Sequence, residues 1–443
     1  MTREPSDFND EIKVLETESK KQADYALPVE KADRNKGEQA TKSNRDPREY
    51  DDFIFTKYHG RKRSILGTST NHNNARDYSS KNHFVKEVRA GHRKRKPWWK
   101  KLIIILSIIL ASLIVLSAVA VGVFFILKES GLSQLTGGEV NMTAPQIESA
   151  GVSVDNSRNT ITYNGTTYVY NNDMTSILCM GIDKDDGFGI EDEMVGTGGQ
   201  ADALYLVALD TKTGKTSVIA VSRDIYADIS IYSADGTYTG TEKAQLCLAY
   251  AYGDGRETSC RNTVNAVERL FYNLPINSYF AMEMDAIADL NDAVGGVVVT
   301  LGEGDLEYEM NYYGQEGDTI RLYGDAARAY LQYRDINELN SSVDRMNRQI
   351  NYLEEFATTA IEMTKQDITT PVTLFNIVGD YSVTNLNASK ISALGYTIAT
   401  SGAQVEFKKV PGEVIHNGEY AEYVVNEQAM LELILEVYYT PIN

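Results

Sequence analysis

The sequence predicts an α/β protein in which a layered ectodomain with a central sheet follows a single N-terminal transmembrane helix. Residues 102–127 form an apolar run of 26 residues without Asp, Glu, Lys or Arg. Beyond it, strand-like apolar segments alternate with segments of helical spacing. The charge also divides at the run. Residues 1–101 hold 24 Lys and Arg against 16 Asp and Glu, whereas residues 102–443 hold 19 against 46, a net charge of −27.

The apolar run is long enough to anchor the chain in a membrane. As a helix it would span roughly 39 Å, against about 30 Å for the hydrocarbon core of a bilayer. A basic cluster with Trp98 and Trp99 precedes it, and only Lys128 and Glu129 follow directly. The positive-inside rule therefore places the N-terminus in the cytoplasm and the C-terminal domain outside the cell. A cleaved signal peptide fits poorly, because residues 1–101 precede the run.

Composition, together with the sequence blocks described below, suggests five segments along the chain. Residues 1–97 mix both charges with few clustered aliphatic residues, which favours a disordered cytoplasmic tail. Residues 98–127 form the basic, aromatic anchor and the transmembrane helix. We expect a stalk and a β-hairpin at 128–173, a main domain at 174–365 and a continuation of the ectodomain at 366–443. The acidic ectodomain argues against a nucleic-acid partner.

Periodicity predicts the elements of the ectodomain in order. Asn164-Gly165 between two β-rich segments indicates a hairpin. Further strands are expected at 176–180, 203–209, 216–221 and 296–301. Helices are expected at 262–272, 284–294, 324–333, 343–364 and 427–438. This alternation is typical of an α/β layered domain with a central sheet.

Two cysteines flank a glycine-bearing loop. Cys247 and Cys260 stand on either side of residues 253–255, in what would be an oxidising compartment. A disulfide between them is predicted, and two free thiols are the alternative.

Charged and polar residues gather at the ends of the predicted strands and helices. They are Asp183, Asp202, Arg223, Asp224, Arg334, Arg345 and Gln349. Carboxylates at strand ends suit Mg²⁺, and arginine forks match phosphate oxygens. Together these residue types provide the components of a phosphoryl-transfer site. The alternative is a set of surface ion pairs with aspartates that form turns and caps.

Several of these residues lie in blocks that resemble the LytR-CpsA-Psr family. The blocks are residues 177–183 (ILCMGID), 201–204 (ADAL), 221–224 (VSRD), 248–253 (LAYAYG), 290–297 (LNDAVGGV), 330–335 (YLQYRD) and 344–349 (DRMNRQ). The resemblance covers about residues 174–365 in order, which would make that segment the catalytic domain, together with the membrane topology.

The resemblance implies a cell-wall transferase with an α-β-α sandwich fold. Family members move an anionic glycopolymer, such as teichoic acid or capsule, from a polyprenyl-pyrophosphate carrier to N-acetylmuramic acid of peptidoglycan. A phosphodiester forms and polyprenyl phosphate is released. The implied cofactor is Mg²⁺ or Mn²⁺, and the implied partners are the lipid-linked glycan, peptidoglycan and the membrane.

The resemblance also assigns roles by position. Asp183 and Asp202 would bind the metal ion. The pyrophosphate would be held by Arg223, Arg334, Arg345 and Gln349, with Asp224 and Asp335 orienting the arginines. The catalytic residues would then be Asp202, Arg223, Arg334 and Asp224. Either Asp202 or a metal-polarised oxygen would deprotonate the attacking hydroxyl.

Two glutamines depart from the family pattern. Gln200 and Gln332 stand where family members usually or often have arginine, so two positive charges are missing from the predicted pyrophosphate site. Their amides would still donate hydrogen bonds, so both glutamines are predicted to bind the pyrophosphate. Two other functions therefore stay open. One is a catalytically weak or inactive regulator of wall assembly, and the other is a polyprenyl-pyrophosphate hydrolase that uses water as the acceptor.

Overall fold

The computed structural model of the chain describes residues 98–136, 140, 142–143, 151–184, 187–190, 194–302, 316–334, 340–416 and 421–442. The chain divides into two compact units, residues 1–106 and residues 107–443. Of the first unit, the structure describes only residues 98–106, where a long helix begins. The predicted cytoplasmic tail and the predicted site residue Asp335 lie outside the described residues.

One helix lies near the start of the described residues, and the others lie between residues 248 and 438. They are α1 Trp98–Leu135, α2 Leu248–Ala251, α3 Glu257–Leu270, α4 Ala286–Ala293, α5 Asp325–Gln332, α6 Ser341–Gln366, α7 Thr370–Ile377, α8 Ala388–Ser401 and α9 Glu427–Tyr438. The helices predicted from periodicity correspond to α3, α4, α5, α6 and α9, the last with the predicted bounds.

Strands build one large mixed sheet and several smaller antiparallel ones. The large sheet contains β4 Met174–Ile182, β5 Ala201–Asp210, β6 Thr216–Val221, β9 Ser278–Glu283, β12 Ser382–Thr384 and β13 Val405–Lys409. The others are β1 Ser153–Asp155, β2 Thr160–Tyr163, β3 Thr166–Tyr170, β7 Tyr226–Tyr232, β8 Tyr238–Gln245, β10 Val297–Thr300, β11 Thr319–Leu322, β14 Gly412–His416, β15 Ala421–Val425 and β16 Tyr439–Ile442.

The large sheet has the strand order β12-β9-β4-β5-β6-β13. Strands β4, β5 and β6 form an antiparallel meander, and β9 and β13 run parallel to its outer strands. The carboxyl ends of β4 and β6 and the start of β5 therefore lie at one edge of the sheet. This edge is where the predicted site residues Asp183, Asp202 and Arg223 stand.

Both faces of the large sheet are buried. On one face, Ile177 and Leu209 pack against Leu135 of α1 and Ala393 of α8. Successive side chains of a strand point to opposite faces. Leu178, which is fully buried, therefore lies on the other face, and that face is covered as well. The fold is thus mixed α/β, as the sequence predicts.

The predicted hairpin is present with the expected turn. Strands β2 and β3 pair in antiparallel register from Tyr163 and Thr166 outward. Asn164 and Gly165 connect them with φ values of 49° and 78°. Two successive positive φ angles are what a type I′ turn requires, and Asn-Gly is well suited to adopt them.

Helix α1 carries a long exposed apolar surface. Most described side chains between Leu102 and Leu127 are exposed. Among the described residues, α1 is the one helix that is long and apolar enough to cross a membrane, by length and composition. An exposed apolar surface of this length is suited to a lipid environment.

The predicted stalk is wrong for residues 128–135, because α1 continues through them into the folded domain. Ser389 Oγ of α8 donates a hydrogen bond to the Leu127 carbonyl at 2.6 Å. The ring of Phe124 packs against Tyr396 with centroids 5.6 Å apart. Leu135, at the end of the helix, is fully buried. The apolar spacing of Leu132 and Leu135 extends the buried face beyond the apolar run.

Candidate active site

A β-bulge directs Asp202 toward helix α6. In the ladder between β4 and β5, Gly181 pairs with Ala203 and Ile182 pairs with Ala201, so Asp202 is an extra residue without a partner. Tyr205, on the same strand, packs against Met346 of α6. Strict alternation from Tyr205 would turn residue 202 to the opposite face. The bulge changes that direction, and Asp202 contacts α6 instead.

Two arginines bind the Asp202 carboxylate. Arg223 Nη1 donates to Oδ1, and Arg345 Nη1 donates to Oδ2 at 3.3 Å. Arg345 Nη2 also donates to the Asp202 backbone carbonyl at 3.2 Å. Arg223 Nε lies 3.4 Å from Oδ1 of Asp224. The two aspartates and Arg345 are buried. The carboxylates thus hold two guanidinium groups in fixed positions at the sheet edge.

Arg334 completes a cluster of three arginines. Burial lowers the pKa of Arg334, and the positive charges of Arg223 and Arg345 lower it further. Burial also tends to lower the pKa of Arg223, but the carboxylates of Asp202 and Asp224 outweigh this effect and raise it. Three arginines and two aspartates leave this cluster with a net charge of +1, which favours an anion. We call these five residues the arginine site.

Arg334 differs from the other two arginines in its partners. Within the part of the chain that the structure describes, its half-buried guanidinium has no hydrogen-bond acceptor. An arginine presents five N–H donors in a planar fork that matches phosphate oxygens. Arg334 is therefore the guanidinium of the cluster best placed to bind an added anion.

Arg348 fixes the chain segment that leads to Arg334. Its Nε donates to the Tyr330 carbonyl at 2.6 Å, and its Nη2 donates to the Tyr333 carbonyl. The guanidinium also lies over the Tyr330 and Tyr333 rings, 5.7 and 5.6 Å from their centroids. Arg348 is buried, so the structure places it as a support for the end of α5.

Gln349 supports the same segment from the next position of α6. Its Nε2 donates to the Leu331 carbonyl at 3.0 Å, and its Oε1 accepts from the Tyr205 hydroxyl at 3.0 Å. Its side chain thus links strand β5 to the end of α5. In this arrangement Gln349 orients the arginine site from within the protein. No sequence motif marks Tyr205, and its supporting role is visible only from its contacts in the structure.

The two glutamines that replace family arginines have different surroundings. Gln332 Oε1 accepts a hydrogen bond from Arg328 Nε at 3.0 Å, and Arg328 Nη1 also pairs with Asp285. Gln332 therefore contacts a cation on its own helix, one turn earlier. Gln200 is half-buried at the start of β5, and its backbone carbonyl accepts from the Asp183 amide at 3.0 Å.

Asp183 and Asp202 have the donor chemistry that a hard divalent cation requires. Asp183 is exposed at the end of β4, and Asp202 opens the adjacent part of β5. No three His, Cys, Asp or Glu side chains form a metal-binding group within the described ranges. Mg²⁺ needs only one or two protein carboxylates when phosphate oxygens and water complete its shell. Two aspartates therefore fit such an ion in type and number.

The predicted disulfide is wrong, since Cys247 and Cys260 are both free thiols. Cys247 precedes α2, and its amide donates to the Arg223 carbonyl at 3.2 Å. Cys260 lies inside α3, where Tyr250 is a hydrogen-bonding neighbour. The two side chains thus face different surroundings. Burial raises the pKa of Cys247 to about 12.

The C-terminal region supports the arginine site, although the sequence indicates no chemistry there. The Tyr423 amide of β15 donates to the Asp224 carbonyl at 3.0 Å, and Ile225 forms a β-bridge with Tyr423. The Tyr423 hydroxyl in turn donates to the Val410 carbonyl at 2.8 Å. The β14–β15 hairpin is thereby fixed to the segment that carries Arg223 and Asp224.

A model of the LytR_cpsA_psr family matches residues 139–436 of this chain. The chain belongs to the LytR-CpsA-Psr family. The match includes every described residue of the arginine site and extends into the C-terminal region, beyond the segment at 174–365 on which the sequence blocks were recognised.

Curated relatives carry the name polyisoprenyl-teichoic acid–peptidoglycan teichoic acid transferase TagU. The protein of Bacillus licheniformis is 27% identical over 273 residues, which cover 60% of this chain and 78% of that protein. The protein of Bacillus cereus is 32% identical over 160 residues, or 36% of this chain and 44% of that protein. The match thus spans less than half the length of the second relative.

Solved structures are similar at lower identity. A protein of Streptococcus agalactiae has a TM-score of 0.49 and 21% identity, with 60% of this chain and 86% of that chain covered. TagT bound to LI-WTA has a TM-score of 0.45 and 22% identity, with 60% and 89% covered.

Proposed function

We propose that this chain transfers an anionic glycopolymer from a polyprenyl-pyrophosphate carrier to a hydroxyl of peptidoglycan N-acetylmuramic acid. The observation that carries the proposal is the arginine site, in which Asp202 holds Arg223 and Arg345 in place beside Arg334. Membership of the LytR-CpsA-Psr family and the names of the Bacillus relatives support glycopolymer transfer to peptidoglycan. The polyprenyl-pyrophosphate carrier and the phosphodiester product are inferred as part of the same proposal.

The reaction exchanges one phosphorus–oxygen bond for another. The acceptor hydroxyl oxygen attacks the phosphorus that bears the glycopolymer, and a phosphodiester forms. The bond from that phosphorus to the bridging oxygen breaks, and the electron pair leaves with polyprenyl phosphate. The hydroxyl proton passes to Asp202, whose carboxylate has more acceptor sites than its two arginines occupy.

The arginines lower the barrier by neutralising charge where it develops. Arg223 and Arg345 are held by Asp202 and Asp224 before substrate binds, so little reorganisation is needed. Arg334 adds a guanidinium fork for the leaving phosphate. Arg348 and Gln349 keep the end of α5 in position. Positioning and charge neutralisation provide most of the catalysis in phosphoryl transfer.

We propose Asp183 and Asp202 as the residues that hold Mg²⁺, or Mn²⁺, at this site. When bound, the ion would neutralise negative charge on the pyrophosphate. Its charge would add to that of the arginines.

We also propose that α1 anchors the chain as a single membrane span, with the N-terminus in the cytoplasm and an α-β-α layered domain outside. The exposed apolar surface of α1 supports the span. The basic residues before it support the orientation. The hydrogen bond from Ser389 of α8 to the Leu127 carbonyl of α1, and the contact between the Phe124 and Tyr396 rings, would then keep the arginine site close to a lipid-linked substrate.

A turnover assay with the full chain in nanodiscs tests the proposal. The donor is a polyprenyl-pyrophosphate glycan, the acceptor is a peptidoglycan oligomer, and the readouts are polyprenyl phosphate and the glycan–phosphate adduct. We expect both products with Mg²⁺ and a strongly reduced rate with Arg334→Lys, whereas Arg261→Lys, at an exposed arginine of α3, should retain activity. Release of polyprenyl phosphate without acceptor would indicate a hydrolase, and donor binding without turnover would indicate a regulator.

A further inference from the structure

A cavity of about 620 Å³ lies between the β14–β15 hairpin and the first turns of α6. Its lining includes Asn340, Asp344, Lys409, Glu413, Val414 and Tyr423. We call it the hairpin cavity. Its volume lies in the range of roughly 300–1,000 Å³ that is typical of small-molecule sites. It is therefore large enough for a small saccharide.

The hairpin cavity adjoins the arginine site. Met346 lines both the hairpin cavity and the small pocket between Asp202, Arg223 and Arg345. Along α6, Arg345 stands between Asp344 of the cavity and Met346. Tyr423, on the opposite wall, is hydrogen-bonded through its amide to Asp224. An occupant of the cavity would thus lie beside a pyrophosphate held by the arginines.

The hairpin cavity has the opposite charge to the arginine site. Asp344 and Glu413 are exposed and have no ion-pair partner among the residues described. Lys409 is the cation of the lining, and its Nζ donates to Asn347 Oδ1 at 3.0 Å. The lining therefore carries a net charge of −1. An anionic polymer would be repelled here and drawn to the arginines, whereas hydroxyl groups would donate to the two carboxylates.

We infer that the hairpin cavity binds the acceptor glycan next to the bound pyrophosphate, through the uncharged hydroxyl and N-acetyl groups of its N-acetylhexosamine rings. The inference rests on the proposed function and adds the acceptor subsite to it. Asp344 and Glu413 accept hydrogen bonds from sugar hydroxyls, and the apolar side chains of Val414 and Tyr423 contact the sugar ring. The hairpin thereby favours the sugar rings of the acceptor over the anionic donor.

Binding of chitotetraose, a neutral N-acetylglucosamine oligomer, to the full chain in detergent tests the inference without turnover. Saturation-transfer NMR gives the affinity. We expect the double variant Asp344→Asn, Glu413→Gln to bind at least about 10-fold more weakly, because two charge-assisted hydrogen bonds are weakened. Glu355→Gln, an exposed change on the same helix, should bind like the wild type. Melting curves verify that each variant is folded.

Inorganic pyrophosphate separates the acceptor from the donor in the same experiment. If the cavity is an acceptor subsite, chitotetraose binding persists when pyrophosphate saturates the arginine site. Loss of binding on addition of pyrophosphate, or equal binding by the double variant and the wild type, would overturn the inference. A chain without transferase activity that still shows the expected binding would refute the proposed function and leave the saccharide site standing.

Discussion

Replacement of Asp202 by asparagine removes the charge that holds the half-buried Arg223 and the buried Arg345 together. Asparagine has nearly the same shape, and its amide oxygen still accepts a hydrogen bond. Arg223 would keep its contact with Asp224, but Arg345 would lose its ion-pair partner among the described residues. The net charge of the arginine site would rise from +1 to +2. We therefore expect Asp202→Asn to destabilise the free protein.

The size of this effect follows from the geometry. At the 3.3 Å between Arg345 Nη1 and Asp202 Oδ2, the Coulomb attraction is about 5 kcal/mol at an effective dielectric constant of about 20. Breaking a buried ion pair costs about 3–5 kcal/mol. Because asparagine retains one acceptor, we expect about 3 kcal/mol in the free energy of unfolding. For a folded domain of about 300 residues, with an unfolding entropy of about 2.1 cal/mol/K per residue, that loss corresponds to a Tm decrease of roughly 5 °C.

Thermal melting of the full chain in detergent, with and without inorganic pyrophosphate, measures this loss and its reversal. An anion replaces the missing carboxylate charge, so pyrophosphate should raise the Tm of Asp202→Asn more than that of the wild type. Asp228→Asn, an exposed aspartate of β7, is the control and should melt like the wild type. The reasoning fails if Asp202→Asn melts within about 2 °C of the wild type, or if pyrophosphate stabilises both proteins equally.

Four other outcomes test the site and its supporting residues. Arg334→Lys should lower kcat by about 100-fold without changing the Tm, and an unchanged kcat in the turnover assay would contradict its role. Tyr205→Phe removes the hydrogen bond to Gln349 and should cost about 1 kcal/mol in urea unfolding, so a neutral result would show that this bond does not support α5. Cys247 and Cys260 should not react with a thiol reagent in the native protein at pH 8, and dithiothreitol should leave the Tm unchanged; a Tm decrease would indicate a disulfide. Burial raises the pKa of Cys247 in the folded protein to about 12, above an unfolded value of about 8.5. The free energy of unfolding should therefore decrease as the pH rises between these two values. Cys247→Ala should make that decrease smaller.

The elements that the sequence predicts well are those with strong local signals. Helix α9 follows clear apolar spacing, and Asn164-Gly165 determines a hairpin through its two positive φ angles. Strands β4, β5 and β6 appear as apolar runs of the expected length. In each case the signal lies within one short segment, so no distant contact is needed to read it.

The elements that the sequence does not predict depend on distant pairing. Strands β12 and β13 are the two outermost strands of the large sheet, although both follow residue 365. Strand β16 joins β3 from the end of the chain. These segments are short, and their partners decide their conformation. A boundary at residue 365 therefore does not separate two parts of the fold.

The candidate site shows the same division. The positions of Asp202 and Arg223 at the ends of predicted strands indicate that both residues lie at one edge of the sheet. They do not indicate that Asp202 turns toward α6, because that direction depends on a bulge of one residue. The supporting role of Tyr205 and the contact of Tyr423 with Asp224 arise from packing between segments far apart in the chain. The predicted disulfide relied on spacing and compartment alone, and the packing around Cys247 and Cys260 overrides both.

We propose that the arginine site transfers a glycopolymer from a lipid pyrophosphate to a sugar hydroxyl. A reaction of the full chain in H₂¹⁸O, with donor, Mg²⁺ and a peptidoglycan oligomer, tests it most directly. Mass spectrometry of the products should show a glycan–phosphate–peptidoglycan adduct without ¹⁸O, equimolar with the released polyprenyl phosphate. A free glycan phosphate that carries one ¹⁸O would contradict transfer, since water would then be the acceptor.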